Sequence, residues 1–216
     1  MRSCCRILAA FAAATAFAAP LSAQEIAIKG GIAISRFHSS GSAYDGSYVS
    51  TSFGGHARFR FRHFALQPEL QMVSRGASGP GVAADERMRM RLEYMEVPLM
   101  LVFPVRVGAF EPYVFGGPML SLETRCRSIT EQDGLKTHVG CEDQLTEGVF
   151  DRRSFDYGAS AGAGISRQLG SGRILLEGRH TWGLRDIYDG EAEGIEVRNR
   201  SFVFAIGYAI MPDDMD

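Results

Sequence analysis

Beyond residue 23 this chain has no long apolar run, which excludes a spanning helix, since that needs about 20 apolar residues in succession. Charge of one sign is also missing. Lysine and arginine total 23 against 25 aspartates and glutamates, a net charge of −2, so nothing points to bulk nucleic-acid binding. Cysteine is scarce, at four residues. No Gly-x-Ser-x-Gly signals a hydrolase nucleophile, and no acidic stretch has the spacing of an EF-hand. There is no linker, low-complexity segment or repeat beyond paired strands, so the chain reads as one domain. Glycine, in contrast, is plentiful at 25 residues, as many turns and tightly packed strands require.

The first residues read as a processing signal. Arg2 and Arg6 form a basic start, Ile7 to Ala19 an apolar alanine-rich core, and Leu21-Ser22-Ala23 a small-residue cleavage site. A signal peptide is therefore expected over 1–23, a main domain over 24–211 and a short acidic tail over 212–216. Cys4 and Cys5 precede the apolar core and leave with it, so neither serves as a lipid attachment site. Cys126 and Cys141 remain, an even pair in an oxidising compartment.

After the leader, the pattern has period two. Ile26, Ile28, Ile32 and Ile34 share one face, and Lys29, Gly31, Ala33 and Ser35 the other, giving a first strand that ends near Phe37. The second, about Val49 to Phe61, alternates Phe53, Phe59 and Phe61 with His56, Arg58 and Arg60. Such a strand suits hydrocarbon on one side and water or ion pairs on the other. The third, about Phe64 to Ser74, sets Leu66, Pro68, Leu70 and Met72 against Gln67, Glu69 and Gln71. The fourth runs from about Arg87 to Phe103. Its apolar face, Met95, Val97, Leu99, Leu101 and Phe103, conflicts in phase with the Arg-Met entrance. A bulge near Leu92 to Tyr94, or a polar extension beyond the membrane, resolves the conflict. The fifth strand, Ala109 to about Arg125, is apolar on both faces and its register is ambiguous. Three more follow, at about Arg153 to Gln168, Arg173 to Asp186 and Val197 to Ile210.

Eight strands result, with long connections after the first, third, fifth and seventh and short ones after the second, fourth and sixth. This rhythm is that of an all-β, eight-stranded antiparallel up-and-down transmembrane barrel with both termini periplasmic and its long loops outside. An even count lets the first and last strands pair, so no edge is left in lipid. One rival remains on patterning alone, a soluble lipocalin-like carrier with its apolar faces turned inward around a cavity.

Three stretches carry a resemblance. Tyr94 to Leu101 (YMEVPLML), Glu111 to Leu120 (EPYVFGGPML) and Leu175 to Ile187 (LLEGRHTWGLRDI) resemble, in order and spacing, the PorT-like group of small outer-membrane β-barrel proteins. The resemblance implies the fold and an outer-membrane location in a Gram-negative bacterium; it implies little chemistry. The acidic tail and the cysteine-bearing third loop depart from the group's pattern.

Inward-facing charge supplies the candidate site: Lys29, His56, Arg58, Arg60, Glu69, Glu96, Glu177 and Arg179. These eight either line a charge-selective pore or satisfy one another as a structural plug, and eight strands leave little bore. The plug is the expectation. Catalysis is not expected: His38 and Ser39 top strand one and His180 lies on strand seven, outward near Trp182, but no spacing ties a Ser, a His and an acid together. Cys126 and Cys141 are expected to form a disulfide; with His138 they make too sparse a set for a metal. That bond would stabilise its loop by roughly 3 kcal/mol on the chain-entropy argument. Asp186, Asp189, Glu191, Glu193 and Glu196 read as a solvated acidic loop, with cation-bridged lipopolysaccharide as the sharper possibility. Tyr94, Tyr113, Tyr157, Trp182 and Tyr208 are candidates for interfacial girdles.

The functional expectation is a monomeric outer-membrane barrel with a structural or surface-interaction role carried by its outer loops, with no cofactor and no metal. Its partners are outer-membrane lipid and lipopolysaccharide, with an extracellular ligand or protein at the loops and no nucleic acid. A narrow passive channel and the soluble carrier are the alternatives, and a lipid-modifying enzyme is the least favoured.

Overall fold

The computed structural model describes residues 25–39, 46–80, 87–132, 135–140, 155–185 and 197–211. The signal peptide, the acidic tail and the residues Cys141, Asp186, Asp189, Glu191, Glu193 and Glu196 lie outside them. No helix occurs among the described residues. The strands are β1 (Glu25–Ser39), β2 (Tyr48–Arg60), β3 (Ala65–Pro80), β4 (Arg87–Pro104), β5 (Phe110–Gln132), β6 (Leu135–Gly140), β7 (Phe155–Leu169), β8 (Gly172–Gly183) and β9 (Val197–Ile210).

Each strand pairs antiparallel with its neighbours, and β1 closes on β9 over a ladder from Ile26↔Ile210 to Ser39↔Val197. With β4 also on β5, eight strands form a closed barrel; β6 pairs only with the far end of β5. Closure gives each of the eight barrel strands a partner on both edges, the condition for crossing hydrocarbon with strands.

The faces resolve the choice between the barrel and the soluble carrier. Ile26, Ile28, Ile32 and Ile34 on β1, Phe53 on β2, Leu99 and Leu101 on β4 and Phe204 and Ile206 on β9 all point outward, with Ile28 and Phe53 63% exposed. An apolar belt that size on each of the eight barrel strands is incompatible with water. It fits acyl chains. The carrier reading is thereby set aside.

Two differences from the sequence reading have a common cause in the loop-end extensions. β3 does not stop at Ser74 but pairs on through Pro80 with Arg87, and β5 runs to Gln132 before turning back into β6. Polar composition marked these stretches as loop, yet ladder pairing beyond the membrane needs no apolar face. The phase conflict of β4 is solved by the polar extension: Leu92, Tyr94, Glu96, Met100 and Val102 share one inward phase throughout. Arg89 and Arg91 therefore point outward above the belt, where they pair with Glu131 at 3.6 Å and Glu93 at 3.3 Å. A bulge is present as well, but its extra residue is Thr124 on β5, since Glu93 opposes Arg125 while Tyr94 opposes Glu123. It flips β5 from odd-inward (Tyr113, Phe115, Met119, Ser121) to even-inward (Cys126, Ser128). That switch is why β5 showed no single phase.

Candidate functional site: the charged interior

Inward positions of β7 are small, Gly158, Ser160, Gly162, Gly164 and Ser166, and so leave space for the large side chains of β5 and β8. A Cβ built on Gly164 would lie 2.4 Å from Tyr113 Cζ. Tyr113 uses that space, and its hydroxyl donates to Glu177 Oε1 at 3.0 Å.

At mid-height stands a four-residue knot. Lys29 Nζ reaches Glu69 at 3.0 Å and Glu177 at 2.8 Å. Arg179 grips Glu69 with two nitrogens, at 2.7 and 2.9 Å, and Glu177 with one at 3.3 Å. Gln67 donates a further 2.6 Å bond to Glu69, and the Arg179 guanidinium lies over the Phe115 ring.

Toward the short-turn end, Glu25 accepts from Arg60 at 2.9 Å and pairs with Arg58 at 3.0 Å, with the His56 ring at 3.5 Å. Arg60 also spans to Glu111, which Arg173 holds from the other side at 2.5 Å. Toward the long-loop end, Glu96 pairs with Arg75 and accepts from Gln71 at 2.7 Å. Above it, Asn199 donates to the Tyr94 hydroxyl at 3.3 Å and to Asp156 at 3.4 Å.

All eight residues anticipated from the sequence face this interior: Lys29, Glu69, Glu177 and Arg179 meet in the knot, His56, Arg58 and Arg60 lie below it and Glu96 above. Six more charges join it: Glu25, Arg75, Glu111, Glu123, Asp156 and Arg173. Parity offered a signal for four of these. Glu25 has the phase of Lys29, Arg75 that of Glu69, Arg173 that of Glu177, and Asp156 that of Ser160. Glu111 and Glu123 were hidden by the ambiguous register of β5. Tyr94 and Tyr113 are interior too, which removes them from the girdle; Tyr157, Trp182 and Tyr208 point outward. His180 faces outward against Trp182, ring centroids 4.3 Å apart.

What this arrangement can do is fill space. Of the side chains in and around the knot, none exceeds 6% exposure, Gln71 being the highest. A water-sized sphere finds almost no wall to touch. Among the described residues, seven interior carboxylates (Glu25, Glu69, Glu96, Glu111, Glu123, Asp156, Glu177) stand among six cations (Lys29, Arg58, Arg60, Arg75, Arg173, Arg179).

One family model, described as the outer membrane protein beta-barrel domain, matches residues 18–189. The chain belongs to this family. It is an outer-membrane β-barrel protein, located in the outer membrane of a Gram-negative bacterium and surrounded there by that membrane's lipids. A search of curated proteins finds no match. Among solved structures, this barrel is similar to the Neisserial surface protein NspA (12% identity, TM-score 0.48, covering 86% of this chain and 96% of that one). It is similar also to Ail of Yersinia pestis, solved with the heparin analogue sucrose octasulfate (14%, 0.45, 86% and 98%). The outer-membrane protein OprG of Pseudomonas aeruginosa is another (16%, 0.49, 87% and 95%).

Proposed function

We propose that this outer-membrane barrel is a monomeric, plugged scaffold that works through its long loops, in a structural or surface-interaction role, rather than through its interior. The single observation that carries the reading is the Lys29–Glu69–Arg179–Glu177 knot, which crosses the lumen at mid-height with every group in contact with an opposite charge. Moving ions would have to break pairs whose members cannot be rehydrated in so narrow a space. The eight residues anticipated from the sequence thus serve as a structural network, with no catalytic role. A partner, an extracellular ligand or protein, would meet the loops.

Three further parts belong to this reading. Residues 1–23 are removed on export, Cys126 and Cys141 form a disulfide bracing the third loop, and residues 212–216 are a dispensable tail. The three motifs from Tyr94, Glu111 and Leu175 support membership of the PorT-like group within the wider family. Planar-bilayer recording of the purified full-length barrel tests the central claim. No resolved conductance step is expected; a steady ohmic step from folded wild-type protein overturns the plug and restores the narrow channel.

A further inference from the structure

Arg36 on β1 and Arg200 on β9 stand directly opposite each other across the closing seam, and Trp182 on β8 stands opposite Arg200 on its other side. All three follow the outward parity of their strands. Like charges in that relation destabilise an antiparallel pair, and among the described residues no carboxylate pairs with either arginine. Two cations that no described carboxylate neutralises, held side by side on a membrane-facing wall, form a ready receptor for an anion.

Their height identifies which anion. Arg36 lies ten residues along β1 from Ile26, the first outward isoleucine. At about 3.3 Å per residue and a tilt near 40°, that is a rise of about 25 Å, the height of the apolar band itself. Arg36 and Arg200 are therefore the first charges above the belt on two adjacent strands, at the long-loop end. Immediately below them Ile34 and Phe202 are exposed, and Phe202 and Phe204 continue the surface with ring centroids 4.6 Å apart. Cations over a broad oily ridge three strands wide match a phosphate carried on several acyl chains. In the outer leaflet of a Gram-negative outer membrane that molecule is lipid A.

We propose that Arg36, Arg200 and Trp182 form a binding site for a phosphate group of lipid A on the outer wall of the barrel. The guanidiniums hold the phosphate between them, the indole N–H lies at the headgroup level, and acyl chains run down the Ile34 and Phe202 faces. The site rests on the long loops facing outward; that orientation is read independently, by cleavage of the loops when protease is added to intact cells.

Native mass spectrometry of the full barrel in detergent tests the site. The probes are bisphosphorylated lipid A, fully dephosphorylated lipid A and phosphatidylglycerol. Wild type is expected to retain bisphosphorylated lipid A in preference to both others. R36Q/R200Q should lose about a hundredfold in retention, about tenfold for each charge-assisted contact. R36K/R200K should keep most of it, and R125Q/R127Q, another outward basic pair, should match wild type. Folding is checked by the heat-modifiable gel band, and R36Q alone, with about a tenfold loss, serves if the double variant does not fold. Equal retention by folded R36Q/R200Q or R36Q overturns the proposal. So does equal retention of the dephosphorylated lipid or of phosphatidylglycerol by wild type. Failure of wild type to retain any lipid A also overturns it.

Discussion

At the residue scale, the interior charges differ from the outer ones in what surrounds them, not in their type. Glu69 is enclosed by Lys29, Arg179 and Gln67, whereas Glu93 is partly exposed beside Arg91 and Arg125. Removing one member of a buried pair strands the other without water, so Glu69→Gln should cost about 3 to 5 kcal/mol. Glu93→Gln should cost less than about 1 kcal/mol. Urea unfolding of both variants in lipid vesicles checks this, and similar midpoints would mean that water reaches Glu69. Size matters at this scale as well. Tyr113 is wedged between the Arg58 guanidinium, 4.9 Å from its ring, and Phe115, at 6.1 Å. It cannot yield to a new methyl group. Gly164→Ala should therefore destabilise by about 1 to 3 kcal/mol. Gly116→Ala, whose added carbon meets nothing nearer than 3.5 Å, should stay within about 0.5 kcal/mol in the same assay.

At the scale of the strand, one inserted residue governs which side of β5 meets the lumen. Thr124 takes up the extra position, and its hydroxyl donates to the Glu93 carbonyl at 3.0 Å. Deleting it would turn Arg125 and Arg127 inward and Cys126 outward, because a one-residue slip reverses every side chain beyond it. The expected result is a large drop in the folded fraction on unheated gels, while Thr124→Ser folds as wild type does. A normal band for the deletion would mean that the far end of β5 has no fixed facing. Alternation made most strands legible: β1, β2, β3, β7, β8 and β9 each keep one parity, and their residues fell on the expected faces. β5 was illegible because two phases overlap in one strand. The far ends of β3 and β5 were illegible because pairing above the membrane leaves no apolar trace.

For the whole molecule, stability hinges on closure at the β1–β9 seam. This ladder spans Ile26 to Ser39, and opening it would put unpaired backbone groups into hydrocarbon, each costing several kcal/mol. Truncation after Val203 removes the pairings of Phe204 to Ile210 with Ile26 to Ile32 and should abolish the heat-modifiable band. Truncation after Met211 should preserve it. Loss of folding in the shorter truncation would give residues 212–216 a part in assembly.

The amino-acid order alone settled the class of fold, the number of membrane strands and which side of most of them is oily. Those properties are local, since neighbouring side chains on an extended chain must point to opposite sides. The encounters inside the barrel were settled only by its assembly. Lys29 meets Glu177 across 148 positions of chain, and Arg179 meets Glu69 across 110. Which charges come level depends on the stagger of hydrogen-bonded strands around a closed ring, and no run of neighbouring residues encodes that stagger.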